Sequence, residues 1–400
     1  MQEQTAVVHI ENHFRKSHGK HLSILIKQFG LENLDLLENA LMESYLKALK
    51  TWPYSGIPNN PNGWIHTVSK RHYIDVLRRR NKQVHTELKN DTFLQPEPQW
   101  DNIHEIQDDE LRLLFVICHP QLKPRDQLAF MLKSLSGFGI KEIAKALLSE
   151  PEQIKKSLFR ARQKIKEEKI KFDWPGNRAL DSRRKMVHKA LYLLFNEGFY
   201  PSTSTLAMRK EMCLEAMRLC RVLCDHNLGD SDSYALMAIM CYHISRFESR
   251  SDEDNRLILL ADQDRKNWDT YFIGLGHHFM EKSIQGSQRN SVFQIEAAIC
   301  GKHSMADSIS ATDWTSLSRL YERLLQLKNT DWVRLNYIVA LMMDGQLKRA
   351  RSLFENIDEK KSQSFAAHYY HVGAELYKRS KNEYLARMWM AKAKCSLEKS

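Results

Sequence analysis

The stretch PNGWIHTVSKRHYIDVLRRRNK, residues 61–82, places Lys70, Arg71, Arg78, Arg79, Arg80 and Lys82 beside His72 and Tyr73. Cations neutralise phosphates and aromatic rings stack on unpaired bases, so this combination offers contact with nucleic acid. A second basic stretch, KEIAKALLSEPEQIKKSLFRARQKIK, follows at 141–166. With Ile140 just ahead of it, Ile143, Ala144 and Leu147 form one apolar stripe and Ile154, Leu158, Ala161 and Ile165 another, which predicts two amphipathic helices joined by a tight turn. Ser149 and Glu152 have the spacing of a capping box, and Pro151 falls in the first turn, so the second helix should begin near Glu150. That is helix-turn-helix arithmetic. Gln153, Lys155, Lys156 and Phe159 would then approach base edges in the major groove, and Arg160, Arg162 and Lys164 would meet phosphates. A solvated basic helix packed on its neighbour would carry the same pattern.

Other candidate chemistry is weaker. The seven cysteines contain no CxxC, and Cys213, Cys220 and Cys224 recur at helical spacing, as buried reduced thiols do. Cys220, Cys224 and His226 match no familiar zinc spacing, so neither a metal nor a cofactor is expected. Asp262 and Asp264 lie two apart and cannot share a helix face. With Glu197, Arg265 and Trp268 they read as caps and ion pairs rather than as catalytic groups, and no enzyme is predicted.

Elements that could position the two basic stretches are helical throughout, because the apolar periodicity is helical and no run alternates as a half-buried strand would. The expected fold class is all-α. At 400 residues the chain should divide into several domains, and Gly and Pro cluster at 53–63, 93–99 and 174–177. These breaks suggest a first block, 1–82, with helices near 5–29, 33–51 and 61–81. A polar linker, 83–103, a second block, 104–171, and a third, 178–400, follow. Within the third block Gly345, Ala350, Phe354 and Ile357 recur at an offset of 36 as Lys381, Ala386, Met390 and Ala393, which resembles tetratricopeptide-like stacking. Such arrays bind proteins or peptides in a concave groove. The formal charge of +11 points to an anionic partner. No apolar stretch approaches the roughly 18 residues of a membrane span, and the start of the chain lacks a signal-peptide core, so a cytoplasmic, membrane-free location is expected.

WIHTVSKRHYIDVLRRR resembles region 2 of the extracytoplasmic-function sigma factors of bacterial RNA polymerase, and KEIAKALLSEPEQIKKSLFRARQKI resembles their region 4, with Arg160, Ala161 and Arg162 in the recognition helix. YLLFNEGF, ILLADQDRKNWD, FQIEAAICGKH and ATDWTSLSRLYERLL resemble the subgroup with a long tetratricopeptide-like C-terminal extension. The resemblance implies that 1–82 binds core polymerase and opens the promoter −10 element, with Lys70, Arg71 and Arg78 on phosphate, Tyr73 near an unpaired base and Arg79 among the DNA-binding residues. It implies clamp contacts from Glu38, Glu43, Tyr45 and Lys47, and reading of the −35 element as duplex DNA by 104–171. The extension would regulate the factor. Two other readings fit the residues alone: a helix-turn-helix regulator that works without polymerase, and a helical scaffold whose basic half binds RNA or acidic protein.

Overall fold

Residues 2–82, 103–147, 149–199, 206–250, 258–286, 290–357 and 366–397 are described in a computed structural model. Among them every regular element is helical, as the periodicity predicts. The expected linker, 83–103, lies outside the described residues except for its last position, which opens a helix. The chain forms two compact units, 1–228 and 229–400.

In the first unit, α1 (Gln2–Phe29) packs on α2 (Leu34–Ser55) and α3 (Pro61–Lys82), and α2 packs on α3. Leu37, Leu41, Ala48 and Trp52 recur every turn or two along α2 and are buried, the stripe that a core-facing helix needs. Gly56 ends α2 at a φ of 82°, a left-handed conformation open to glycine at no steric cost. Asn60 then starts α3, its side-chain oxygen accepting the Gly63 N–H at 2.9 Å.

Four helices continue the unit: α4 (Ile103–Ile117), α5 (Pro124–Ser134), α6 (Ile140–Ala146) and α7 (Pro151–Glu167), with α7 packed on α5 and α6. Next come α8 (Asn177–Phe199) and α9 (Leu206–Asp225), which pack on each other and on α4. Reading the breaks alone assigns α8 and α9 to the C-terminal block. Their partner is instead α4, to which Arg218 on α9 is tied by Glu110 at 2.9 Å. Cys213, Cys220 and Cys224 are buried in α9, and His226 pairs with Asp108 at 3.1 Å and stacks on Trp174.

Where α1 crosses α5 the approach is close enough to require glycine. A Cβ on Gly19 would lie 2.6 Å from the Leu135 carbonyl oxygen and 2.7 Å from Glu110. Beside it, burial and then the charge of Lys133 hold His18 neutral, depressing its pKa to about 3. The unfolded chain takes up this proton near pH 6.5 and the folded chain does not until about pH 3. Stability is therefore complete above pH 6.5 and is lost as pH falls, by about 1.4 kcal/mol per pH unit for one such histidine. Urea unfolding at pH 7 and pH 5 checks this: His18→Leu is expected to lose less stability over that interval than the unaltered chain.

The second unit is a succession of helices packed on their neighbours: α10 (Ser231–Ser245), α11 (Thr270–Gln285), α12 (Val292–Ser304), α13 (Trp314–Leu327), α14 (Asp331–Met343), α15 (Leu347–Glu355), α16 (Ala366–Arg379) and α17 (Glu383–Leu397). Tyr242 on α10 fills the space left by Gly276 and Gly301, where a Cβ would come within 2.6 and 3.1 Å of it. The acids near 262 act locally: Asp264 caps a 3-10 turn by accepting the Lys266 N–H, while Arg265 donates to the carbonyls of His303 and Ala306 and covers Trp268.

The 36-residue offset has a backbone counterpart. Gly345 and Lys381 both adopt positive φ, 78° and 58°, at the ends of α14 and α16. In each case the next amide closes the helix, Gln346 N–H on Leu341 O at 2.8 Å and Asn382 N–H on Tyr377 O at 2.9 Å. Ile357 and its counterpart Ala393 are both buried, but Ala386 is only half-buried where Ala350 is buried, Met390 is exposed where Phe354 is buried, and the ring in the core is that of Trp389.

Candidate nucleic-acid interface

α6 and α7 meet through a turn set by Pro151. The preceding residue, Glu150, is extended, as proline demands of its neighbour, and serves as N-cap without a side-chain bond. The expected capping box therefore does not form: the Ser149 hydroxyl is turned to Gln153 at 3.1 Å. At the start of α6, the Glu142 carboxylate accepts the Gly139 N–H at 2.7 Å. Ile154, Leu158, Ala161 and Ile165 are buried, which rotates the polar residues of α7 outward.

Those polar residues divide into two groups. Gln153, Lys155, Lys156 and Phe159 are exposed on the first two and a half turns, Phe159 at 65 %. An aromatic ring so placed between cations is poorly explained by packing. Lys155 reaches back to Glu152 at 2.6 Å, an exposed pair of little energetic weight. The other three candidates, Arg160, Arg162 and Lys164, are paired with carboxylates. Arg160 grips buried Asp126 of α5 with two bonds, of 2.6 and 3.2 Å, and these hold its pKa up. Arg162 pairs with Glu38 of α2, and Lys164 with Glu168 at 2.7 Å. Arg160 and Arg162 were expected to face phosphates; their partners are carboxylates on α5 and α2, which spacing along α7 cannot reveal.

On α3 the buried residues are Ile65, His66, Ser69 and Tyr73. Ser69 enters the core by donating to the Ile65 carbonyl and meeting Ser44 of α2 at 2.9 Å. This turns the helix away from the face chosen by its valines. Tyr73 consequently points inward: it is 2 % exposed, its ring 4.7 Å from Phe29, and it does not offer a base the surface ring that was expected. Arg71, Arg78, Arg79 and Arg80 are exposed and Lys70 half-buried, so α3 presents its cations without the tyrosine.

The candidate clamp residues also separate. Glu38, 3 % exposed, and Tyr45, packed edge-on against Phe14 at 4.8 Å, are interior and unavailable at a surface. Burial raises the Tyr45 hydroxyl pKa. Glu43 and Lys47 are exposed and line a groove with Leu46, Lys50, Arg71 and His72. Exposed apolar residues beyond them, Leu49, Tyr54 and Ile57, were missed by sequence reading. For Leu49 and Tyr54 the signal was available: α2 carries apolar residues on two faces, and a single core uses one.

Residues 115–165, from the end of α4 through most of α7, match the family model "Sigma-70, region 4". Residues 183–284 match a family of unknown function (DUF6596). No solved structure matches the chain. Among the described residues no helix is long and apolar enough to cross a membrane. Over 355 residues, 88 % of this chain and 82 % of the relative, the sequence is 31 % identical to "Uncharacterized protein R00370" of Rhizobium meliloti (strain 1021). The chain belongs to the same family as that protein, and its region 4 domain supports a sigma-70-family factor with a DNA-binding, promoter-recognition role in transcription.

Proposed function

We propose that the chain is a sigma factor of the extracytoplasmic-function type, which directs bacterial core RNA polymerase to specific promoters from the cytoplasm. The observation that carries this reading is the region 4 match laid over a helix-turn-helix whose second helix exposes Lys155, Lys156 and Phe159. In this reading 104–171 takes the −35 element as duplex in the major groove. The first block, 1–82, binds core through Glu43 and Lys47 and the −10 element through Lys70, Arg71, Arg78 and Arg79. Tyr73, Tyr45 and Glu38 serve packing. The second unit, 229–400, forms a tetratricopeptide-like extension that modulates activity and offers a groove to a protein or peptide. Phosphodiester chemistry belongs to the polymerase, so this chain needs no cofactor.

In vitro transcription with bacterial core polymerase on a genomic promoter library tests the proposal. Start sites that depend on the protein and share −35 and −10 elements are the expected result. Starts no different from those of core alone, with the full chain and with residues 1–228, would overturn it. Lys155→Ala and Lys156→Ala are each expected to cost about 1–3 kcal/mol in duplex affinity and to relax sequence preference at one base pair. Selection from a random duplex library reads both effects.

A further inference from the structure

The region 4 match ends at 165, within α7, and the family of unknown function begins at 183, within α8. α8 nevertheless packs on α4, α5 and α9, inside the same compact unit as the helix-turn-helix. Val187, Ala190, Leu191 and Leu194 form its buried face, and its cations divide. Arg183 donates to the Phe115 carbonyl and Arg184 to the Leu228 carbonyl, so these two hold the unit together. Arg178, Lys185 and Lys189 stand seven and then four residues apart, which places them on one face of the helix, and all three are exposed. Among the described residues none of the three has an ion-pair partner. Asp181, the one acid in the first four turns of α8, is taken by Arg184 at 2.6 Å. On α9, by contrast, Arg218 is paired with Glu110 and Glu215, and Arg221 with Asp225 at 2.7 Å.

Nothing within α8 favours this stripe. Arg178 lies in the first turn, where the helix dipole disfavours a cation and no acid offsets it. Lys185 and Lys189, four residues apart, repel each other. Exposed cations also lead from the stripe toward α7. Arg160 of α7 holds Asp126 of α5, and the residue before Asp126 is the exposed Arg125. Arg125 is near enough to Glu197 of α8 to oppose the rise in pKa that burial gives this carboxyl.

We propose that the face of α8 carrying Arg178, Lys185 and Lys189 is a second duplex-binding surface, which follows the phosphates of one strand beside the base pairs that α7 reads. This rests on the reading of α7 as a recognition helix. Eleven positions separate Arg178 from Lys189, about 16 Å along a helix, a length that spans about five phosphates of one strand. Cations on phosphate add affinity and fix position without choosing sequence. The chain beyond region 4 thereby takes part in holding the promoter.

The test measures binding of the full chain, by fluorescence anisotropy at several salt concentrations, to a duplex that it selects from a random library. One form of the duplex is trimmed to the base pairs whose preference changes in Lys155→Ala or Lys156→Ala. The other carries one further helical turn on each side, about ten base pairs. Lys185→Ala/Lys189→Ala keeps the helix, since both positions are exposed and alanine is the best helix former. Lys378→Ala/Lys394→Ala, at exposed positions of the second unit, removes the same charge as a control. The unaltered chain and the control are expected to bind the long form about tenfold tighter than the trimmed one. The α8 variant is expected to lose that gain, with a salt slope on the long form lower by about two, and to keep its affinity for the trimmed form. An unchanged gain and slope in the α8 variant overturn the proposal. So does an equal loss on both forms, or an equal loss in the control, since either reports net charge alone. If the library yields no preferred sequence, one random duplex of about 30 base pairs replaces both forms. Loss of binding in the α8 variant alone then removes the reading of α7 and leaves the stripe. Loss in the α7 variants alone removes the stripe, and loss in neither, or binding by no chain at low salt, removes both.

Discussion

Arg218→Ala is expected to destabilise the first unit by about 3–5 kcal/mol, because it leaves buried carboxylates without their cation. Arg218 donates to Glu110 at 2.9 and 3.1 Å and to Glu215 at 2.8 Å. Glu110 is 1 % exposed, and Glu215 also accepts from Ser136 at 3.0 Å. Burial opposes the charge on Arg218, but the two carboxylates outweigh it and raise its pKa. One helix of the C-terminal block thus supplies the counter-ion for α4, just ahead of the region 4 match. Urea unfolding of Arg218→Ala against the unaltered chain measures the loss. Replacing Arg218, Glu110 and Glu215 together by methionine is expected to recover most of it, since apolar groups of similar size need no partner. A loss below about 1 kcal/mol for Arg218→Ala would show the network to be screened, as surface pairs are.

The same network decides where the chain can be cut. Ending it at residue 171 removes α8 and α9, and with them the cation that pairs with Glu110 and the surface that α4 packs on, so that fragment is expected to fold poorly. A chain ending at 228 keeps both. A comparison at 171 would therefore mistake an unfolded region 4 domain for a regulatory effect of the extension.

Legibility in the sequence followed the kind of interaction involved. Helices were readable because apolar residues recur every 3.6 positions, and α3 and α7 begin where Pro61 and Pro151 predict. The stripe Ile154, Leu158, Ala161 and Ile165 is the buried face. Rotation of α3 was not readable, because its core face includes Ser69 and His66, which hydrophobicity assigns to the surface. Destinations of charges were the least legible. Arg160 and Arg162 read as phosphate ligands along their own helix, while Asp126 lies 34 residues away and Glu38 lies 124 away. A carboxylate at that separation leaves no mark on local periodicity. The place of α8 and α9 was hidden for the same reason, since the Pro-Gly break at 175–176 resembles a domain boundary and the ion pairs crossing it do not show.

Phe354→Ala tests whether the second unit acts as a separable device. Phe354 stacks on Tyr369 at 5.0 Å and meets Trp389 edge-on at 5.1 Å, and its ring fills the gap left by Gly373, where a Cβ would lie 2.8 Å from it. Removing a buried phenyl ring from such a cluster costs about 3–5 kcal/mol through lost transfer energy and the cavity left behind. Gly373→Ala overfills the same place and is expected to cost about 1–3 kcal/mol. Stability in a stack of helical repeats is a sum of neighbour terms, so α15, α16 and α17 should melt first, as a transition distinct from that of the first unit. Calorimetry reads this as a second, lower transition in Phe354→Ala. Duplex binding by α7 is expected to stay within about twofold of the unaltered chain, the range of distant, uncoupled sites. Unchanged binding with altered promoter-dependent transcription would locate the extension's role after DNA contact. A parallel loss of duplex binding would instead mean that the array supports the fold of α7, and the extension would be structural rather than regulatory.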